Sequence, residues 1–316
     1  MYELKYEELV HGITCIEGWY QSEGIACCYM VESDGEFALI DTGTARTAPS
    51  IIELLAKRGI AKEQVKYIIP THVHLDHAGG AGQLMAQLPE AQLVVHPYGA
   101  RHMIDPSKLQ AGASAVYGEQ PFKELFDTLL PIAEERVTEM TDGMQLDLNG
   151  RILHLIETPG HARHHLVVWD EVSQGLFTGD VFGNGYPALH SSKGRYLMPV
   201  TSPVQFDPRL WHESIEKQLS FNPERVFLTH YSMLENPRPC AEQLHRDLDA
   251  YIEIAHALKP ENRYDNLLEQ ITDYHMENIK AHGCTLPRKE IDRLIASDIE
   301  LCAQGLEVWL QRQESK

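Results

Sequence analysis

The chain has 316 residues, of which 43% are hydrophobic and 23% charged, enough apolar sequence for a large buried core and unlike a disordered or collagen-like polymer. Its 46 Asp and Glu against 27 Lys and Arg leave a formal net charge of -19, a field that repels polyanions, so nucleic acid is not an expected partner. Three carboxylates fall in the first ten residues, and no apolar run reaches the length of a signal-peptide core or a membrane span, so the expectation is a cytoplasmic protein with no membrane partner.

Short β-branched and aliphatic runs bounded by Gly, Pro, Asp or Asn read as strands at 25–32, 37–40, 65–69, 93–95, 144–148, 152–156, 165–169, 176–177 and 226–228. Helical patterns lie between some of them, at 49–58 closed by Gly59, at 82–88 closed by Pro89, and at 208–219. Two long connections, 98–130 and 182–207, read as loops able to wall a pocket. After the Asn-Pro-Arg-Pro turn at 236 the β-type runs stop. Leu244, Leu248, Ile252, Ala255 and Leu258 form one helical stripe; Ile291, Leu294, Ile295, Ile299, Cys302, Leu306 and Trp309 form another. The expected organisation is a catalytic domain over 1–235 and a helical C-terminal extension over 236–316, the extension offering a homodimer face. The six cysteines, Cys15, Cys27, Cys28, Cys240, Cys284 and Cys302, contain no CxxC pair and read as reduced, small hydrophobes.

The chemistry concentrates in Thr71-His72-Val73-His74-Leu75-Asp76-His77, directly after the 65–69 strand. His72 and His74 alternate to one side of an extended segment, while Asp76 and His77 enter the turn and can face a second ion. Three more metal-competent residues close later strands: His161 after Thr158-Pro159-Gly160, Asp180 after Thr178-Gly179, and His230 after Thr229.

This order of residues resembles the metallo-β-lactamase-fold superfamily over roughly residues 12–235. The resemblance implies an α+β fold, an αββα sandwich of two mixed β-sheets flanked by helices, with metal at the sheet edge. Carried over, His72, His74 and His161 would hold one divalent ion, Asp76, His77 and His230 a second, and Asp180 would bridge both. Zinc is the first expectation, with iron or manganese suited to the same imidazole and carboxylate donors. Asp76 would also orient a metal-bridging hydroxide and pass its proton to the leaving group. Similar sequences place Asp41, in Ile40-Asp41-Thr42-Gly43, under the metal loop as an acceptor for a ligand imidazole. His164, beside His161, reads as a second support.

Asp at 180 replaces the cysteine of true zinc β-lactamases, His at 74 replaces the usual Glu of flavodiiron oxygen reductases, and the acidic charge disfavours the RNA-processing branches. The expected function is a binuclear metal-dependent hydrolase of a small thioester or lactone. Two alternatives stand beside it: a mononuclear iron persulfide dioxygenase and a ligand-binding regulatory protein on the same fold. His190, Arg195 and Tyr231 are the candidate polar contacts to a small-molecule substrate, because they lie nearest the ligands in sequence.

Overall fold

Alternation along the first strands divides their side chains between two faces. On β3, Cys28 and Met30 face one way and Cys27, Tyr29 and Val31 the other. The computed structural model describes residues 2–315, with the side chains of Val116 and Tyr117 outside the description. A seven-stranded mixed sheet runs in the order β1 (Tyr6–Glu8), β2 (Ile13–Glu17), β3 (Cys27–Ser33), β4 (Glu36–Ile40), β5 (Val65–Ile69), β6 (Gln92–Val95) and β7 (Val137–Glu139). Its first four strands are antiparallel and its last four are joined in parallel. A six-stranded mixed sheet consists of β8 (Met144–Leu148), β9 (Arg151–Glu157), β10 (Leu166–Asp170), β11 (Gly175–Phe177), β12 (Arg225–Leu228) and β13 (Ser232–Glu235), each strand beside the next.

Between the sheets lies a core of Ile13, Tyr29, Val31, Ile40 and Ile69 from the first and Leu153, Leu155, Val168, Phe177 and Phe227 from the second. The other face of the first sheet is covered by helices. Ile51, Leu54 and Leu55 of α1 (Ala48–Lys57), Ala78 of α2 (Leu75–Ala78), Leu84 and Met85 of α3 (Ala81–Met85), and Ala100 and Met103 of α4 (Pro97–Ile104) pack on it. Two sheets with flanking helices and C-terminal helices are therefore the architecture the ligand motifs implied.

The chain falls into two compact units. The first holds residues 2–157, His164–Gly179 and Glu224–Met233; the second holds Thr158–Arg163, Asp180–Pro223 and residues 234–315. The helical content after α4 differs from the sequence reading. Residues 98–130 are not a loop but carry the rest of α4, then α5 (Ser107–Tyr117) and α6 (Glu119–Leu125). Pro97 opens α4 and the His96 ring accepts the Tyr98 N–H at its start. The interior of α5 is rich in Ala and Gly, so little apolar periodicity is visible there. The second unit contributes α7 (Pro208–Leu219), α8 (Arg238–Ala257), α9 (Arg263–His282) and α10 (Arg288–Glu314). Leu244, Leu248 and Ala255 of the first expected stripe and Ile291, Ile295, Ile299, Cys302 and Leu306 of the second are buried. Among the described residues no helix is long and apolar enough to cross a membrane.

One buried ion pair ties the two sheets of the first unit. Arg151, at the start of β9, grips Asp170 with Nε and Nη2 at 2.9 and 2.5 Å, and its Nη1 donates to the carbonyls of His11 and Glu32. Breaking such a pair leaves an uncompensated buried charge. Arg151→Met is expected to cost about 3–5 kcal/mol of stability, read as a lower urea midpoint; an unchanged midpoint would contradict this role.

Candidate metal centre

Strands β4 and β5 pair in parallel with Ile40 opposite Ile69, so the residues that follow them, Asp41 and Thr71, leave the sheet at the same edge. Asp41 adopts a left-handed backbone with φ of 57°, a conformation Asp tolerates, and is completely buried. Its Oδ1 accepts from the Thr71 N–H at 2.7 Å and the Thr71 hydroxyl at 2.9 Å; its Oδ2 accepts from the Thr229 hydroxyl at 2.7 Å and lies 2.9 Å from His77 Nδ1. The loop holding His77 is locked again by Thr42, whose N–H and hydroxyl both donate to the His77 carbonyl. Gly80 follows because a Cβ there would meet the carbonyl oxygens of Thr42 and Thr44 at 2.7 and 2.8 Å.

These contacts fix the proton on the ring. A carboxylate only accepts, so His77 Nδ1 carries the hydrogen and Nε2 keeps its lone pair. The same reasoning applies to His230, whose Nδ1 donates to the Ile25 carbonyl at 2.7 Å. Both Nε2 atoms face one carboxylate oxygen, Asp76 Oδ2, at 3.7 Å from His77 and 3.4 Å from His230. Donors bound at ~2.0–2.2 Å to one tetrahedral ion stand about 3.4 Å apart, so these spacings suit a shared cation better than direct hydrogen bonds. Asp76, His77 and His230 offer ligand atoms all within 4.8 Å of one another. His72 Nε2 and His74 Nδ1 are 2.8 Å apart, and the His72 ring centroid is 4.0 Å from that of His77. The first unit thus gathers five of the expected ligands.

The other two meet in the second unit, where His161 Nε2 lies 3.4 Å from Asp180 Oδ2 and His161 Nδ1 donates to the Val200 carbonyl at 2.9 Å. The turn that presents His161 is pressed against α7. Gly160 has φ of 137°, and a Cβ there would strike Trp211 Cα at 2.4 Å. Ser214 on α7 donates to the Pro159 carbonyl, and the Ser202 hydroxyl donates to the carbonyl of His161 itself.

Imidazole nitrogens and carboxylate oxygens without thiolate form a donor set fit for a borderline divalent cation. The Nδ1 hydrogen bonds of His77, His161 and His230 leave each Nε2 in the form that coordinates one. His164 supports the ligand loop through its backbone, its Nδ1 accepting the Val73 N–H at 3.3 Å. Tyr231 turns its hydroxyl to Glu17 at 3.0 Å, His190 is exposed, and Arg195 stands near Cys240, where its charge opposes the rise that burial imposes on the thiol pKa. Sequence reasoning missed Thr71 and Thr229, which hold Asp41, and the carbonyls of Ile25 and Val200. For the two threonines a signal existed, since each directly precedes a candidate ligand histidine.

The sequence model of the metallo-beta-lactamase superfamily matches residues 23–230, about two thirds of the chain. The chain belongs to that superfamily. A curated relative, the metallo-beta-lactamase fold-containing protein ST1585 of Sulfurisphaera tokodaii, is 28% identical over 224 residues, 70% of this chain and 77% of its own. The superfamily protein TTHA1429 of Thermus thermophilus shares the fold at a TM-score of 0.67 and 19% identity, over 98% of this chain and 95% of its own. The atrochrysone carboxyl ACP thioesterase of Aspergillus chevalieri is 30% identical over 175 residues, 54% of this chain. The match spans only 45% of that fungal relative's length.

If Asp41 sets the His77 tautomer, Asp41→Asn should weaken metal binding about 10–100-fold, the usual effect of removing a partner behind a ligand. Competition with a chromophoric chelator measures this, and wild-type affinity in the variant would contradict it.

Proposed function

We propose that this chain is a binuclear metal-dependent hydrolase of a small ester-like substrate, with a thioester as the first class to test and a lactone the second. The observation that carries the reading is the common state of His77, His161 and His230: each donates Nδ1–H to a protein oxygen and turns Nε2 toward an aspartate oxygen at 3.4–3.7 Å. On this reading His72, His74 and His161 hold one ion, Asp76, His77 and His230 hold the other, and Asp180 contributes to both. When bound, a pair of such ions supplies a water acidic enough to be deprotonated near neutral pH and polarises the oxygen of the scissile group.

The chain's own residues supply the rest. Asp76 is the most accessible member of its group, its side chain 17% exposed where His77 and His230 are 0% and 4%. On this reading it orients the attacking water and carries a proton to the leaving group. Asp41, fully buried behind His77, keeps that imidazole from turning. The thioester preference draws on the relative named as an atrochrysone carboxyl ACP thioesterase.

Asp180→Ala is expected to lose at least one metal equivalent and to bring hydrolysis of thioester and lactone panels down to background, measured by elemental analysis and thiol or acid release. Full hydrolysis by metal-depleted protein would overturn the reading. Oxygen uptake with glutathione persulfide, in place of hydrolysis, would overturn it in favour of a dioxygenase.

A further inference from the structure

His275, in the middle of α9, has no exposed surface and is bonded at both ring nitrogens. Nδ1 lies 2.8 Å from the Tyr196 hydroxyl and Nε2 2.5 Å from the Tyr251 hydroxyl. The far end of this chain fixes its protons. Tyr251 stands 3.1 Å from the Pro199 carbonyl, which only accepts, so the Tyr251 O–H points there. Its oxygen then accepts from His275 Nε2–H, and the bare Nδ1 accepts from Tyr196. Burial pushes the His275 pKa down to about 3, so the ring stays neutral at physiological pH, as this order of bonds requires.

The chain ends on the backbone that holds a predicted ligand. Pro199 receives the Tyr251 hydroxyl and, at 3.5 Å, the Cys302 thiol of α10; the next carbonyl, Val200, receives His161 Nδ1–H. Thr201 donates to the carbonyls of Leu301 and Cys302, and Ser202 donates to the His161 carbonyl. Four consecutive residues, 199–202, thus connect α8 and α10, and through Tyr251 also His275 of α9, to the His161 turn.

We propose that the buried Tyr196–His275–Tyr251 chain is a positioning device for His161: it fixes the Pro199–Val200 backbone and, through the Val200 carbonyl, the tautomer and aim of the His161 imidazole. This gives the C-terminal helices a task in metal binding without their contributing a ligand. It rests on the reading of His161 as a ligand. A buried polar network can also serve packing alone, so the test must separate the two.

Metal-free wild type, Tyr251→Phe, Tyr196→Phe and Arg263→Met are titrated with cobalt(II), following the visible absorption of the bound ion, and their melting temperatures are recorded. Tyr251→Phe removes both the acceptor for His275 and the donor to Pro199. It should weaken cobalt binding about fivefold, below the ~10–100-fold typical of a direct partner of a ligand, and shift the absorption bands. Tyr196→Phe deletes only the outermost donor, and a smaller change of the same sign is expected; it carries the test if Tyr251→Phe does not fold. Arg263→Met breaks the ion pairs with Glu307 and Glu314 in the same helices, outside this chain. It should lower the melting temperature while leaving cobalt affinity and spectrum as in wild type. Wild-type cobalt binding in Tyr251→Phe, or an equal loss in Arg263→Met, would overturn the proposal alone. Failure of the wild type itself to take up cobalt would overturn the metal-site reading, and this inference with it.

Discussion

The Asp41 carboxylate is the point on which the candidate metal centre depends. A buried carboxylate carries a desolvation penalty of several kcal/mol, and only a full set of donors offsets it. Asp41 has such a set: the Thr71 amide and hydroxyl, the Thr229 hydroxyl and the His77 ring. Hydrogen bonds to a charged group contribute roughly 1.5–3 kcal/mol each. These donors come from the residues after β5, from α2 and from the residue after β12, so one side chain draws strand ends of both sheets to a single place. The contact that stabilises this junction also sets the proton of His77. Stability and ligand geometry are therefore coupled at one residue.

The same device recurs with backbone acceptors. The Ile25 carbonyl holds His230 and the Val200 carbonyl holds His161, each leaving Nε2 toward an aspartate oxygen. A carbonyl can do this from any sequence, provided the backbone is fixed. That explains why the elements around these acceptors carry so many side-chain-to-backbone bonds: Ser214 and Ser202 at the His161 turn, Thr201 on α10, Tyr251 on Pro199. The cost of fixing irregular backbone is met in the second unit by polar groups that the hydrophobic pattern alone does not explain.

Much of the candidate centre was legible in the sequence because its residues follow strands across short Pro, Thr or Gly segments: Pro70-Thr71 after β5, Thr158-Pro159-Gly160 after β9, Thr178-Gly179 after β11 and Thr229 after β12. His72, His74, Asp76, His77, His161, Asp180 and His230 could be picked out for that reason, and the strands before them, such as β5, β9 and β12, were placed to within a residue. Asp41 was legible only through resemblance. The acceptors were not legible, because a carbonyl carries no residue signature. Elements with weak patterning were also missed: α5, whose Ala and Gly content hides any stripe, and the three-residue strands β1 and β7. The buried strand β2 was passed over as well, since all five of its positions are buried and no alternation marks it. His275 read as an ordinary helical histidine. Its partners, Tyr196 and Tyr251, lie 79 and 24 residues away, beyond any helical spacing.

The central claim is that these ligands bind two divalent ions. The most direct measurement is the metal content per chain, by elemental analysis, of protein purified without added metal. The account predicts close to two equivalents of zinc, iron or manganese, falling on Asp180→Ala. Well below one equivalent, unchanged after incubation with each metal and removal of excess, would contradict it.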